Sequence, residues 1–97
     1  MEKPRSSGYS DVTRFTIEIK PSALKEMDAL DESVFARIDR KILLLADNPR
    51  PATSKKLQGY KDMWRIRVGD WRAVYVIDDA ARRITVTRVA HRREVYD

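Results

Sequence analysis

Four segments of the chain read as β-strands: apolar and polar residues alternate strictly in the first, and apolar residues recur with a period of two, typical of strands with one buried face, in the others. The four segments are residues 15–19, 63–68, 71–77 and 84–90. In the first of them, Phe15, Ile17 and Ile19 are predicted to point towards the core. The polar connection over residues 49–62 has room for one further short strand at residues 56–58.

Helical spacing follows the first alternating segment. Pro21 can open a helix, because proline is common in the first helical turn. After it, the apolar residues Leu24, Met27 and Leu30 recur every three residues. Asp31 is a suitable N-cap for a second helix. The apolar stripe of that second helix consists of Val34, Phe35, Ile38, Ile42 and Leu45.

The order of these elements predicts the fold class. The second helix should end at Asn48, because Pro49 disfavours the helical conformation at the residue before it. Two helices joined so closely predict an antiparallel helical hairpin. The order β-α-α-β-β-β then indicates an α+β fold, in which an antiparallel-type sheet with an N-terminal strand has the hairpin packed on one face. We expect a flexible polar arm at residues 1–12 and a single domain at residues 13–97.

A tight turn decides which residues share a face of the sheet. Gly69-Asp70 favours a two-residue hairpin loop, which places Arg67 directly opposite Arg72. Arg65 lies two residues along the strand on the same face, and we call these three residues the arginine face. The opposite face is apolar and consists of Trp64, Ile66, Val68, Trp71, Ala73, Tyr75 and Ile77.

The arginine face works against folding unless an anion offsets its charge. Like charges directly opposite each other destabilise a sheet, by about tenths of a kcal/mol where water screens them. A guanidinium presents five donors in a planar fork that fits a phosphate. We therefore interpret this face as a phosphate-binding surface, with an ordinary solvated strand face as the alternative.

The charge of the chain is concentrated in its second half. The formal net charge is +5, of which residues 1–48 contribute −1 and residues 49–97 contribute +6. Nine of the twelve cations in the second half are arginine. A basic surface of this kind attracts polyanions such as nucleic acid, although basic surfaces also serve only to keep proteins soluble.

Composition excludes several classes of site. The chain has no cysteine and one histidine, which excludes disulfides and thiol nucleophiles and argues against a zinc site, so we expect no metal and no cofactor. The opening MEKPRSSGYSDVT has no apolar run, and no apolar run in the chain is longer than the five residues 42–46. We therefore expect no signal peptide, no membrane association and a cytoplasmic location.

The residues after the last of the four segments are candidates for chemistry. His91 is the side-chain type best suited to proton transfer near neutral pH, and Tyr96 can donate, accept or stack on a base. The plainer interpretations are that His91 is an ordinary surface histidine and that Tyr96 anchors the tail.

Residues 15–96 resemble the RelE/ParE superfamily of bacterial toxins. The resemblance rests on the element order, on KKLQGYKDMWRIRVGDWRAVYVIDD, on the ending VAHRREVY and on the helix opening PSALK. The RelE branch are mRNA interferases, which cut messenger RNA in the ribosomal A site. The resemblance therefore implies a ribosome-dependent endoribonuclease, with a ParE-like inhibitor of DNA gyrase as the alternative. The ParE type lacks the full set of arginine, histidine and tyrosine residues.

The resemblance also implies the site residues. The catalytic set is Arg65, Arg67, Arg72, His91, Arg92 and Tyr96, and the RNA- or phosphate-binding set is Lys55, Lys56, Arg65, Arg67, Arg88 and Arg93. In the implied reaction the ribose 2′-OH attacks the adjacent phosphate, Arg67 and Arg72 stabilise the developing charge, and Arg92 does the same or assists the leaving group. Tyr96 would orient the nucleotide by stacking.

The general base is an open point, because the family can carry lysine where this chain has Arg65 and Arg67. Arginine does not readily give up its proton. His91 is the best alternative base in this chain, Tyr96 comes second, and ribosomal RNA is a third source.

The resemblance implies protein and RNA partners. We expect a cognate antitoxin bound in a toxin–antitoxin hetero-oligomer, together with the ribosome and its mRNA. The antitoxin is expected to cover or distort the arginine face, or to displace the C-terminal tail.

Overall fold

The computed structural model describes residues 14–95, so the predicted arm at residues 1–12 and the candidate Tyr96 lie outside the described residues. The elements are β1 (Thr16–Ile19), α1 (Pro21–Asp28), α2 (Glu32–Leu44), β2 (Ser54–Lys56), β3 (Met63–Val68), β4 (Trp71–Asp78), β5 (Arg83–His91) and a C-terminal 3₁₀ turn (Arg92–Glu94). The predicted α+β order is confirmed, and the short extra strand lies two residues earlier than predicted. No helix in residues 14–95 has the length and apolarity needed to cross a bilayer.

The sheet has five strands in the order β1-β5-β4-β3-β2. The pairs β2–β3, β3–β4 and β4–β5 are antiparallel, as predicted, whereas β1 runs parallel to β5. No hairpin joins β1 to its neighbour, so a turn does not impose the antiparallel direction on this pair. The sheet is therefore mixed rather than purely antiparallel.

Both helices pack on the sheet through the residues that helical spacing brings together. Helix α1 lies against β5, and α2 lies against β3 and β4. In α2 the predicted stripe is confirmed, since Ile38, Ile42 and Leu45 are fully buried and Val34 and Phe35 pack against them.

The predicted face of α1 is partly wrong. Met27 is buried, but its buried partner is Ala23 and not Leu24, which is 43% exposed. Residues four apart lie on one face of a helix, and the small Ala23 allows this short helix to approach β5 closely.

The prediction for α2 is confirmed at the start of the helix and wrong at its end. Asp31 is the N-cap as predicted, and its carboxylate accepts a hydrogen bond from the Val34 amide at 3.0 Å. This bond and a second one from the Ser33 hydroxyl lower the pKa of Asp31. At the other end, α2 stops at Leu44, before the predicted Asn48. From Leu45 the chain continues as turns.

A buried tyrosine ties the connection after α2 to the sheet. Tyr75 is fully buried, and its hydroxyl donates to the Pro49 carbonyl at 2.7 Å. Burial raises the pKa of Tyr75 to about 12, because the phenolate would lose its hydration. Next to it, Arg50 donates to Asp79 at 2.8 Å and lies over the Trp64 ring at 5.3 Å.

Replacing Tyr75 by Phe should lower the free energy of unfolding near pH 7 by about 1 kcal/mol, because the Pro49 carbonyl loses its donor. The unfolded tyrosine ionises near pH 10 and the native one near pH 12, so the native protein should lose stability between these values. The Tyr75→Phe variant should not show this loss of stability at high pH, because it has no phenol at position 75. Urea unfolding at pH 7 and pH 11 checks both effects, and parallel losses in the two proteins would contradict the second.

Candidate nucleic-acid interface

The β3–β4 hairpin has the predicted register. Arg67 pairs directly with Arg72, and Val68 pairs with Trp71 on the apolar face. Gly69 has a φ of +61°, which glycine adopts without strain, and this allows the two-residue loop. The hairpin therefore places both arginines on the sheet face that points away from the helices, which we call the open face.

The two paired arginines differ in how they are held. Arg67 is exposed, whereas Arg72 is half-buried. One guanidinium nitrogen of Arg72 donates to the carbonyls of Gly69 at 3.1 Å and Trp71 at 3.0 Å. These two bonds orient the Arg72 guanidinium along the turn, which limits the rotamers that it can adopt.

Arg65 does not lie on an exposed surface as predicted. It is only 5% exposed, and its Nη1 donates to the Thr53 carbonyl at 3.2 Å. The reason is that the segment leading into β2 packs beside β3 and covers this part of the open face. Its predicted catalytic role remains a prediction, and its burial distinguishes Arg65 from the exposed Arg67 on the same strand.

The two predicted lysines lie on opposite faces of β2. Lys55 pairs with Arg65 and shares the open face, whereas Lys56 pairs with Trp64 and points to the helix side. Both residues are exposed. A strand alternates its side chains, so adjacent lysines cannot contribute to one flat phosphate site.

A β-bulge changes which side chains of β5 face the helices. Val74 pairs with Arg88 but Tyr75 pairs with Val86, which leaves Thr87 as an extra residue. The Thr87 hydroxyl donates to the Val74 carbonyl at 3.3 Å. Because a bulge reverses the alternation beyond it, Arg88 lies on the open face and later odd-numbered residues turn to the helix side.

The bulge places His91 away from the arginine pair. His91 pairs with Trp71, and their rings meet edge to face with centroids 5.5 Å apart and an interplanar angle of 78°. The His91 Nδ1 accepts a hydrogen bond from the Arg93 amide at 3.3 Å. This assigns the proton of the neutral ring to Nε2 and occupies its acceptor nitrogen, so the structure does not bring His91 to Arg67 and Arg72 as a base.

The C-terminal 3₁₀ turn brings Arg92 to the tip of the hairpin. The Arg92 amide donates to the Asp70 carbonyl at 2.7 Å, and its Nε lies 3.8 Å from the Asp70 carboxylate. Arg93 is exposed on the same turn. Arg92 therefore attaches to the turn that joins Arg67 to Arg72, and its catalytic role remains a prediction.

Sequence reasoning missed one further cation at this tip. A Cβ atom built on Gly69 would lie 2.9 Å from the Arg37 Nη2, so the Arg37 guanidinium rests directly against this glycine. Arg37 comes from α2, and no local pattern links it to the hairpin. We call Arg37, Arg67, Arg72 and Arg92 the tip cluster.

Arg88, a member of the predicted phosphate-binding set, contacts two protein groups. Its Nε lies 3.4 Å from the Glu26 carboxylate, and its Nη1 donates to the Glu94 carbonyl at 3.2 Å. Its guanidinium therefore connects α1 to the C-terminal turn.

A cleft lies on the open face between the loop after β2 and the C-terminal segment. Its lining residues are Leu57, Gln58, Tyr60, Met63, Val74, Thr87, Arg88, Glu94 and Val95. Tyr60 is 60% exposed, while Leu57 and Val74 are buried beneath. In the part of the chain that the structure describes, no three His, Cys, Asp or Glu residues come together as a metal site.

Comparison with known sequences identifies relatives over most of the chain. The profile of the ParE toxin family of type II toxin–antitoxin systems (parDE) matches residues 17–96. A RelE-like toxin protein of Escherichia coli is 33% identical over 88 residues, which cover 87% of this chain and 92% of the relative. The toxin RelE1 of Methanocaldococcus jannaschii is 34% identical over 86 residues, which cover 84% of this chain and 92% of the relative.

Solved structures agree with these relatives. A chain of the intact RelBE toxin–antitoxin complex of Escherichia coli matches with a TM-score of 0.70 and 26% identity, over 79% of this chain and 95% of that one. A chain of the RelE–RelB complex of Pyrococcus horikoshii shares the fold, with a TM-score of 0.74 and 22% identity, over 84% of this chain and 99% of that one. The predicted resemblance is confirmed, and the chain belongs to the ParE toxin family within the RelE/ParE superfamily of type II toxin–antitoxin systems.

Proposed function

We propose that this toxin is a ribosome-dependent mRNA endoribonuclease that cleaves messenger RNA in the ribosomal A site. The observation that carries the proposal is the cross-strand pairing of Arg67 with Arg72, with Arg92 held at the same hairpin tip. The curated relatives with RelE-like names support the same branch. We also propose that a cognate antitoxin neutralises the chain in a hetero-oligomer, since related chains come from RelBE complexes.

The tip cluster suits a reaction in which negative charge develops on a phosphate. When the ribose 2′-OH gives up its proton to a base and attacks the adjacent phosphorus, a pentacoordinate species forms. The bond to the 5′-oxygen then breaks, which leaves a 2′,3′-cyclic phosphate, and the departing oxygen takes up a proton from water. Arg67 and Arg72 stabilise the charge on the phosphoryl oxygens, and Arg92 stabilises the departing oxygen. The Arg72 guanidinium is effective here because its hydrogen bonds to the Gly69 and Trp71 carbonyls already orient it.

The base is proposed to come from the ribosome. Arg65 is buried and does not readily lose its proton, and His91 lies on the helix side of the sheet with its acceptor nitrogen engaged. Tyr96 lies outside the described residues, and its proposed role is to stack on the nucleotide. A site that supplies cations and takes its base from ribosomal RNA would act only on the ribosome.

The tip cluster also supports the antitoxin partner. Four arginines from three separate segments lie on or against the β3–β4 hairpin, and this concentration of positive charge would attract an acidic peptide segment as well as RNA. We propose that the antitoxin inhibits by covering this tip.

Primer extension on a defined mRNA in a bacterial cell-free translation mix tests the proposed activity. New 5′ ends inside codons should appear when the protein is added, and they should disappear when ribosomes are left out. Cleavage of naked RNA at the same positions would contradict the ribosome requirement.

The family profile carries the ParE name, and this favours DNA gyrase as the alternative target. A gyrase supercoiling assay with the same preparation distinguishes the two activities. An intact message together with inhibited supercoiling would replace the interferase proposal.

The geometry predicts opposite results for two single substitutions. Arg72→Gln should reduce the cleavage rate by about 10²-fold, because it removes an oriented charge from the transition state. His91→Gln should change the rate by less than about threefold, because a general base would contribute at least about 10²-fold. Single-turnover cleavage of ribosome-bound mRNA measures both rates.

Arg83→Gln is a matched control for the lost charge, since Arg83 is an exposed arginine of β5 at the far end of the sheet. A rate for His91→Gln as low as that of Arg72→Gln, with a changed pH profile, would restore histidine as the base.

A further inference from the structure

The outer edge of β5 is only half covered by a strand. β1 pairs with β5 from Arg83 to Val86, and beyond that point the edge faces α1. The Val89 amide on this edge donates to the Glu26 carboxylate of α1 at 2.8 Å. An unpaired buried amide would be costly, so Glu26 takes the place of a missing strand at the position that follows the bulge.

The same carboxylate holds a second group. The other Glu26 oxygen lies 3.4 Å from the Arg88 Nε, and the Arg88 Nη1 donates to the Glu94 carbonyl at 3.2 Å. Contacts therefore run from α1 through β5 to the end of the 3₁₀ turn. The Arg88 and Glu26 side chains are 46% and 34% exposed, so water screens this link only in part.

The 3₁₀ turn depends on such contacts for its position. It has three residues, and a turn of this length is not stable by itself. Its first residue, Arg92, is fixed to the hairpin tip through the Asp70 carbonyl, and its last residue, Glu94, is fixed by Arg88. Loss of either attachment would leave the turn held at one end.

We propose that Glu26 and Arg88 are positioning residues that hold the C-terminal turn, and that Arg88 is a tether of that turn rather than a ligand for RNA phosphate. The effect on cleavage rests on the proposed function. The effect on the turn rests on the contacts alone.

The charge of Glu26 makes the proposal sharply testable. Glu26 is an anion beside a basic surface, so its removal should strengthen the attraction of RNA if charge alone matters. The tether predicts the opposite effect on turnover, because a turn released at Glu94 is held only by the Arg92–Asp70 hydrogen bond and keeps Arg92 in position for a smaller fraction of the time. The sign of the change therefore separates the two explanations.

The experiment uses Glu26→Gln in the full chain with Glu18→Gln as the matched control. The amide oxygen of Gln still accepts from Val89, whereas its neutral head group no longer holds the Arg88 guanidinium. Glu18 is an exposed carboxylate on β1 that lies 3.7 Å from Arg83, so its variant removes the same charge from a similar pair away from the turn.

Two readouts are measured on both variants. Amide hydrogen exchange at residues 93–95 should become about three- to tenfold faster in Glu26→Gln and stay unchanged in Glu18→Gln. In the cleavage assay, kcat should fall about three- to tenfold for Glu26→Gln with KM unchanged, since fewer molecules hold Arg92 in place. Unchanged exchange, or a turnover that rises, would overturn the proposal.

Arg88→Gln separates a tether from a phosphate ligand. A tether predicts faster exchange at residues 93–95 and a lower kcat, whereas a ligand predicts normal exchange, a raised KM and a weaker dependence of binding on salt. If the wild-type protein does not cleave mRNA, the proposed function fails while the exchange measurement still decides whether Arg88 holds the turn.

Discussion

The organisation of the open face depends on one two-residue turn. Gly69 and Asp70 close the β3–β4 hairpin in a register that puts Arg67 directly opposite Arg72. The apolar residues on the other face enforce this register, because a slip by one residue would turn one strand over, which would expose its apolar residues and bury its arginine. Core packing therefore maintains a repulsive pair that the strand surface alone would not favour.

The tip of that hairpin gathers contacts from distant parts of the chain. The C-terminal turn attaches to Asp70 through a backbone hydrogen bond, and α2 delivers Arg37 to the bare Cα of Gly69. A residue with a side chain at position 69 would have to displace the Arg37 guanidinium as well as adopt an unfavourable φ. The glycine thus serves both the turn and the close approach of a cation.

Strand β5 connects this tip to the helical side of the molecule. Its bulge directs Arg88 to the open face and His91 towards Trp71, and Glu26 satisfies the amide that follows. The exposed cations and the group that holds the C-terminal turn are consequently neighbours on one strand. Arg88 therefore engages a carboxylate and a backbone carbonyl of the protein itself, which a count of basic residues does not reveal.

Local patterns determined most of the fold. The stripe of α2, the Asp31 cap and the hairpin register each follow from residues close in sequence, and they appear in the structure as predicted. Periodicity and turn chemistry act over a few residues, so the sequence displays them directly.

Only the tertiary structure decided which candidate side chains meet. Arg65 is buried by the segment before β2, and the bulge carries His91 to the helix side, although strict alternation predicts neither change. Arg37 and Glu26 reach the site from helices far away in sequence. The positions of these side chains depend on how separate elements pack and on the hydrogen bond between the Val89 amide and the Glu26 carboxylate. Such long-range contacts leave no periodic trace in the sequence.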